Sequence, residues 1–251
     1  MSRPLLALDF DGVLCDSSPE CAIVSANARL ALLDPDRTPV FSPAVTRAED
    51  FRRFIAFRYL VRTAAQYLLL WDRLDAGSPI HPTLPLERQT PADPGRLAAF
   101  QALFYQLRGR WREDDYDSWL AYNPVHPAVD SSLDALRHVP DLRIVSAKDE
   151  PSIRAILARR GIELERNQVL GREYGDKREL LARLATEFPG RDIRFVDDNI
   201  DNIELAAMPG IRCLLADWGY LGPDWADRAR AAGHGVLSPD GFARMVREAR
   251  Q

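Results

Sequence analysis

Residues 5–14 read Leu-Leu-Ala-Leu-Asp-Phe-Asp-Gly-Val-Leu, and the rest of the chain can be interpreted outward from this stretch. The apolar run that opens it predicts a buried parallel strand. Asp9 and Asp11 follow at the end of that strand, where two negative charges are costly unless a cation or a shared proton offsets them. Carboxylate and carbonyl oxygens are the ligands that Mg²⁺ prefers. The stretch therefore suggests a hard-metal site with a spare carboxylate; the alternative is a strand followed by a solvated Asp-Gly turn.

The composition limits the classes of function that remain. The chain has 251 residues, of which 46% are hydrophobic, and this fits one large domain or two small ones. A net charge of -4 gives no basic excess, so we expect no nucleic-acid partner. The apolar runs are far shorter than the roughly 18 residues of a membrane span, and because a strand is predicted so early we expect no signal peptide. Three cysteines without CxxC spacing indicate reduced thiols, so we expect a cytoplasmic protein.

Lysine is rare in this chain. Of the 33 basic residues, only Lys148 and Lys177 are lysine, and the others are arginine. Arginine presents a broad planar fork, whereas lysine presents a compact charge on a flexible stem. A site that needs a small ammonium group would resist replacement of its lysine, although chance remains the alternative for two residues.

Residues 17–126 show helical patterns and no convincing strand. A helix start at Ser17–Glu20 leads into a helix that continues to about Leu33. A long amphipathic segment from about Thr46 to Leu74 has apolar residues at three- and four-residue steps. Five prolines between residues 77 and 94 predict an extended connection, and further helices are expected at about 95–112 and 116–122.

After residue 126 strands alternate with helices. Strands are predicted at 142–145, 169–170, 193–196 and 211–215, the last being the final clear strand. This alternation predicts an α/β fold with a Rossmann-like parallel sheet core, helices on both faces and an inserted all-α cap domain. The core would comprise 1–16 and 127–251, and the cap 17–126. Ligands of open α/β sheets bind at the carboxyl ends of strands, so the insertion is expected to cover the site as a lid.

Polar residues stand at the other predicted strand ends. Ser146 offers a hydroxyl followed by backbone N–H groups at a helix start, which can bind an anion. Asp197 and Asp198 repeat the acid pair at a later strand end, although an Asp-Asn turn is the alternative there. Lys177 stands in the first turn of a helix, where the helix dipole disfavours a cation, so a functional role is the better interpretation. Lys148 is expected at the solvated rim of the site.

These elements together favour phosphoryl transfer. The acids can hold Mg²⁺, while the lysine, the hydroxyl and the amides can hold a phosphate. The remaining carboxylate can then attack phosphorus.

In this order and spacing the motifs resemble those of the haloacid dehalogenase superfamily. Residues 9–13 are similar to its first motif and Ser146 to its second. Lys177 corresponds to the third motif, and Asp197-Asp198 to the fourth. The helical insertion lies where many members carry a cap.

The resemblance implies roles for these residues. Asp9 would be the nucleophile and Asp11 the general acid and base. Mg²⁺ would be held by Asp9, by the backbone carbonyl of Asp11 and by Asp198, with Asp197 close by. Many members carry another acid where this chain has Asn202, which leaves the rest of the metal shell open.

Substrate contacts are predicted on both domains. Ser146 and Lys177 would bind the phosphoryl oxygens as catalytic residues, and Lys177 would balance the charge on Asp9. The other substrate-binding candidates are Ala147, Lys148 and, in the cap, Arg58.

The sequence therefore predicts a hydrolase, a Mg²⁺-dependent phosphatase that cleaves a small phosphorylated metabolite through an aspartyl-phosphate. Asp11 sets the chain apart from halide-displacing members, and the lack of lysine in the cap argues against a mechanism like that of phosphonoacetaldehyde hydrolase. Two alternatives remain: a phosphomutase of the β-phosphoglucomutase type and a non-catalytic phosphate-ligand-binding protein. A monomer or homodimer is expected.

Overall fold

The computed structural model describes residues 3–251. The chain divides into two compact units. One unit comprises the described residues up to Asp16 together with Val125–Gln251, and the other is Ser17–Pro124.

The first unit is built on a six-stranded sheet with the strand order β3-β2-β1-β4-β5-β6. Every neighbouring pair of strands is parallel, which confirms the predicted α/β core. All four residues of β1 are buried, because a central parallel strand is covered on both faces. The strands are β1 (Leu5–Leu8), β2 (Leu142–Val145), β3 (Val169–Leu170), β4 (Ile193–Asp197), β5 (Ile211–Ala216) and β6 (Gly235–Leu237).

The strand order places β1 at the switch point of the sheet. Its neighbours are β2 on one side and β4 on the other, and the chain builds the sheet outward from there in both directions. Open α/β sheets bind ligands outside the carboxyl ends of the strands at such a point. β6 was not predicted from the sequence; it has only three residues, all of them half-buried, so its pattern is weak.

Helices of the first unit connect the strands. Of these, α9 begins at Lys177, and the side chain of Asp176 caps it by accepting a hydrogen bond from the Glu179 N–H at 2.9 Å. The helices of this unit are α7 (Asp130–Leu136), α8 (Glu150–Ala158), α9 (Lys177–Glu187), α10 (Ile200–Leu205), α11 (Trp225–Ala231) and α12 (Pro239–Arg250).

The second unit is helical throughout its regular elements. Its core contains large aromatic side chains, such as Phe54 stacked on Trp71 with ring centroids 4.9 Å apart. A buried ion pair joins Glu20 to Arg108, with Nε 2.8 Å from Oε1. The helices are α1 (Ser18–Leu33), α2 (Ala48–Ala56), α3 (Gln66–Asp75), α4 (Leu86–Gln89), α5 (Pro94–Asp114) and α6 (Tyr116–Ala121). Among residues 3–251, no helix is long and apolar enough to cross a membrane.

The long amphipathic segment predicted from Thr46 to Leu74 is not one helix. It forms α2 and α3, separated by residues 57–65, which include a 3₁₀ turn at Arg58–Leu60. Side chains satisfy the backbone of this break: the Arg58 guanidinium donates to the Val61 carbonyl at 2.8 Å, and Gln66 Oε1 accepts from the Arg62 N–H at 2.6 Å. The apolar spacing of the segment does not reveal such local hydrogen bonds. The proline-rich stretch likewise contains the one-turn helix α4, which was not predicted.

Candidate active site

Three strand ends bring buried polar side chains to one edge of the sheet. Asp9 follows β1, Ser146 follows β2 and Asp197 ends β4, and all three residues are buried. The register places Leu8 opposite both Ile144 and Val196, so the three chains leave the sheet side by side. The site is therefore built at the switch point.

Both carboxylate oxygens of Asp9 have a polar partner. Oδ1 accepts a hydrogen bond from the Phe10 N–H at 2.7 Å, and Oδ2 lies 2.6 Å from Lys177 Nζ. Burial raises the pKa of Asp9 to about 7; Lys177 opposes this rise, and the charge of Asp197 adds to it. A further positive charge beside Asp9 would favour its ionised form.

Lys177 bridges the two acid pairs. Its ammonium group lies 2.6 Å from Asp9 Oδ2 and 2.6 Å from Asp197 Oδ2. Burial acts to lower the pKa of Lys177, but Asp197 and Asp9 outweigh it, and the pKa is raised above its usual value. Lys177 is thus a permanent cation between two strand ends, although the N-terminus of α9 disfavours positive charge.

Asp197 is fully buried and held by hydrogen-bond donors. Its Oδ1 accepts from the Asn199 N–H at 2.8 Å. The Asn202 side-chain amide lies 3.2 Å from Oδ1 and 3.1 Å from Oδ2. Asn202 therefore contacts Asp197 as a donor.

Asp198 occupies a slot between two glycines. Gly12 has a φ of +83°, and a Cβ there would lie 2.0 Å from Asp198 Oδ2. A Cβ at Gly219 would lie 2.2 Å from Asp198 Cβ. The Tyr220 N–H completes the slot by donating to Asp198 Oδ2 at 2.7 Å. Only glycine leaves room for the carboxylate at both places.

The carboxylates fit a hard divalent cation. Asp9, Asp197 and Asp198 are all buried and can each place one oxygen within 4.8 Å of the others. Oxygen-only donors of this kind suit Mg²⁺, and Lys177 contacts two of the three carboxylates. Asp201, by contrast, lies outside this group and pairs with Arg228 at 3.2 Å. The predicted contribution of the Asp11 carbonyl stays a prediction.

The segment after β2 differs from its prediction at one residue. The Ser146 hydroxyl accepts a hydrogen bond from the Lys148 N–H at 3.3 Å. The side chain of Lys148 is fully buried, and its Nζ lies 3.2 Å from Asp11 Oδ1. The expectation that Lys148 lies at the solvated rim was therefore wrong, because an acid inside the site draws the ammonium inward.

The loop after β5 contributes contacts that sequence reasoning missed. Trp218 Nε1 donates to the Val13 carbonyl at 3.0 Å, and the Tyr220 hydroxyl donates to Asp16 Oδ1 at 2.9 Å. The same loop thus contacts Asp198, the last residue of the first motif (Val13) and Asp16. Its only signal in the sequence is a glycine between two aromatic residues after a strand.

Arg58, the substrate-binding candidate of the insertion, belongs to the Ser17–Pro124 unit. Its guanidinium lies over the Tyr67 ring, 5.1 Å from the centroid. The proposed contact of Arg58 with substrate stays a prediction.

Comparisons with known proteins show which solved structures this fold resembles. No family model matches the sequence, and no curated protein matches it. Among solved structures, a predicted phosphoglycolate phosphatase from Haemophilus somnus matches with a TM-score of 0.60 and 17% identity over 97% of each chain. A predicted phosphatase from Clostridium acetobutylicum matches with a TM-score of 0.61 and 14% identity, covering 99% of this chain and 100% of the other.

A conserved haloacid dehalogenase-like protein of unknown function from Agrobacterium tumefaciens has a TM-score of 0.53 and 20% identity, over 99% of each chain. These similarities confirm, at the level of the fold, the resemblance that the motifs indicated. The activity has to be argued from the chemistry of the site.

Proposed function

We propose that this chain, which has the haloacid dehalogenase-like fold, is a Mg²⁺-dependent phosphohydrolase that cleaves a small phosphorylated metabolite through an aspartyl-phosphate. The observation that carries the proposal is the group of buried carboxylates around Lys177. Asp9 lies 2.6 Å from the ammonium group, and Asp197 and Asp198 complete the cluster. A buried carboxylate at a strand end, beside a permanent cation and a candidate metal site, is suited to attack phosphorus.

The metal would be held mainly by the two acid pairs. Asp9, Asp198 and the backbone carbonyl of Asp11 would be its ligands, with Asp197 beside them. When bound, Mg²⁺ would offset the charge of the carboxylates and of the phosphoryl group.

Asp9 and Asp11 share the first half of the reaction. One carboxylate oxygen of Asp9 forms a bond to phosphorus while the bond between phosphorus and the leaving oxygen breaks. Asp11 gives its proton to that leaving oxygen, so the product departs as an alcohol and Asp11 becomes a carboxylate.

The second half restores both acids. Asp11 takes a proton from a water molecule, whose oxygen bonds to phosphorus as the bond to Asp9 breaks. Inorganic phosphate is released, Asp9 is again a carboxylate and Asp11 is again protonated.

Three groups around Asp9 would hold the phosphoryl oxygens. They are the Ser146 hydroxyl, the Ala147 N–H and the Lys177 ammonium group, whose raised pKa keeps it charged at neutral pH. Arg58 would contact the rest of the substrate.

The test is phosphate release with and without Mg²⁺. We expect the purified protein to release phosphate from p-nitrophenyl phosphate and from members of a panel of phosphorylated sugars, acids, nucleotides and cofactors. EDTA should abolish the release, and added Mg²⁺ should restore it. Asp9→Asn should lower kcat by roughly 10⁴-fold or more. Asp201→Asn is the matched control, because Asp201 lies outside the carboxylate cluster, and it should retain wild-type kcat.

Four outcomes would contradict the proposal. One is metal-independent release, and another is an Asp9→Asn variant as active as the wild type. The third is conversion of a sugar phosphate to its isomer with little free phosphate, which would identify a phosphomutase instead. Binding of phosphorylated ligands without turnover across the whole panel would identify a non-catalytic protein.

A further inference from the structure

Both lysines of the chain meet the carboxylates of the first motif. The other 31 of the 33 basic residues are arginines. Lys177 Nζ contacts Asp9 at 2.6 Å, and Lys148 Nζ contacts Asp11 at 3.2 Å. The two residues proposed to carry the chemistry are thus each paired with one of the two lysines.

Lys148 is enclosed by protein. Its side chain is 0% exposed, and the side chain of Asp11 is 16% exposed. A buried ammonium group is costly to desolvate unless an opposite charge lies close to it. The carboxyl group of Asp11 supplies that charge when it is ionised, and it lies towards the exposed side of the pair. This arrangement places Asp11, rather than Lys148, where a substrate can reach it.

Replacement by arginine would not preserve this contact. A guanidinium is broader than an ammonium group and donates in a fixed planar fork. The side chain of Lys148 is also fully enclosed, which leaves little space for a wider group. A small cation in a closed space explains why lysine stands here in a chain whose other basic residues, apart from Lys177, are arginines.

The sequence pattern assigned Lys148 to substrate binding, but its burial and its contact point to another role. We propose that Lys148 is a positioning residue that holds the carboxyl group of Asp11 in place while Asp11 gives a proton to the leaving oxygen and later takes one from water, and that Lys148 does not contact the phosphoryl group. The inference rests on the proposed phosphohydrolase function and adds a second lysine with a separate task. Lys177 serves the attacking carboxylate, and Lys148 serves the acid and base.

Substrates with different leaving groups test this role. A phenolate such as p-nitrophenolate leaves with little help from an acid, whereas an alkyl alcohol needs the proton of Asp11 as the bond to phosphorus breaks. Lys148→Met should therefore lower kcat/KM for an alkyl phosphate at least about tenfold more than kcat/KM for p-nitrophenyl phosphate. An equal loss on both substrates, or a rise in KM for both with unchanged kcat, would overturn the proposal and favour direct phosphate binding.

Two further variants separate positioning from general damage. Lys148→Arg keeps the charge with a different shape, and we expect it to recover only part of the alkyl phosphate activity. Arg143→Met removes another buried cation that follows Leu142 in β2, where Arg143 donates to the Leu142 carbonyl at 2.9 Å. It should leave the ratio of the two kcat/KM values at the wild-type value, even if it lowers the melting temperature. A shift of that ratio in Arg143→Met as large as in Lys148→Met would overturn the proposal.

A double-mutant cycle tests the pairing without turnover. The free energy of unfolding in urea is measured for Lys148→Met, Asp11→Asn and the double variant, all without added metal. We expect clear non-additivity, and additivity when Arg143→Met replaces Lys148→Met in the cycle. Additive effects of Lys148→Met and Asp11→Asn would overturn the pairing. If the wild type releases no phosphate from either substrate, the proposed function fails, and the cycle still decides whether Lys148 holds Asp11.

Discussion

The two acid pairs of the site stand at neighbouring strand ends but are held in different ways. The first acid pair, Asp9 and Asp11, follows β1; the second acid pair, Asp197 and Asp198, spans the end of β4. Each member of the first acid pair contacts one lysine ammonium group, and Asp9 also accepts a hydrogen bond from the Phe10 N–H. In the second acid pair Asp197 also contacts Lys177, but both acids accept a hydrogen bond from a backbone N–H group, at 2.8 Å from Asn199 and 2.7 Å from Tyr220.

This difference suggests a division of tasks. Backbone donors and glycine walls hold a carboxylate in one place, which suits a ligand that must keep its geometry. A lysine ammonium group on a flexible stem can follow a carboxylate whose charge changes during a reaction. We therefore interpret the second acid pair as the scaffold of the metal site and the first acid pair as its reactive part.

The largest expected effect comes from removing one acid from each pair, in two separate variants, and comparing the results. Asp11→Asn should lower kcat on an alkyl phosphate by about 10²–10⁴-fold, because the proton donor and acceptor is removed. The Mg²⁺ concentration at half-maximal activity should stay near the wild-type value. Asp198→Asn is the matched variant, and it should raise that concentration because it removes a proposed ligand. Steady-state kinetics with a Mg²⁺ titration measure both effects; an increased Mg²⁺ requirement in Asp11→Asn alone would contradict the division.

An intermediate effect is expected at the glycine slot. Gly12→Ala places a methyl group 2.0 Å from Asp198 Oδ2 in a residue with a φ of +83°. The strained backbone should cost on the order of 1–3 kcal/mol of unfolding free energy, and the displaced carboxylate should weaken Mg²⁺ binding. Gly161→Ala is the control, since its φ is +64° but no atom lies within 4 Å of its Cβ. Urea unfolding and calorimetric Mg²⁺ titration should show both losses for Gly12→Ala and the stability loss alone for Gly161→Ala.

The smallest expected effect concerns Asn202. Its amide donates to both oxygens of Asp197, so Asn202→Ala removes an orienting partner of the second acid pair. We expect a loss of about tenfold in Mg²⁺ affinity, the lower end of the range for such partners. Asn202→Asp is a sharper test, because the carboxylate that it introduces would repel the carboxylate of Asp197 rather than orient it. Tighter Mg²⁺ binding in Asn202→Asp would show that the position serves as a metal ligand and would contradict our interpretation.

Much of the fold follows from local patterns in the sequence. A continuous apolar run needs burial on both faces, so β1 could be predicted as a central parallel strand from Leu5–Leu8 alone. The predicted strands at 142–145 and 193–196 correspond to β2 and β4 for the same reason. The break at residues 57–65 and the strand β6 could not be predicted in this way. Side-chain hydrogen bonds hold the break, and β6 is short and half-buried.

The sequence by itself determined which residue types stand at the strand ends. Parallel strands bring their carboxyl ends to one edge, so acids, a serine and a lysine placed there had to meet once the strands were assigned. Only the tertiary structure decided how these groups pair. Lys148 lies inside against Asp11, Asn202 serves Asp197, and Tyr220 reaches Asp198 from a loop that follows another strand. The first and last of these contacts join residues far apart in the chain, and the geometry of all three depends on packing that no local pattern encodes.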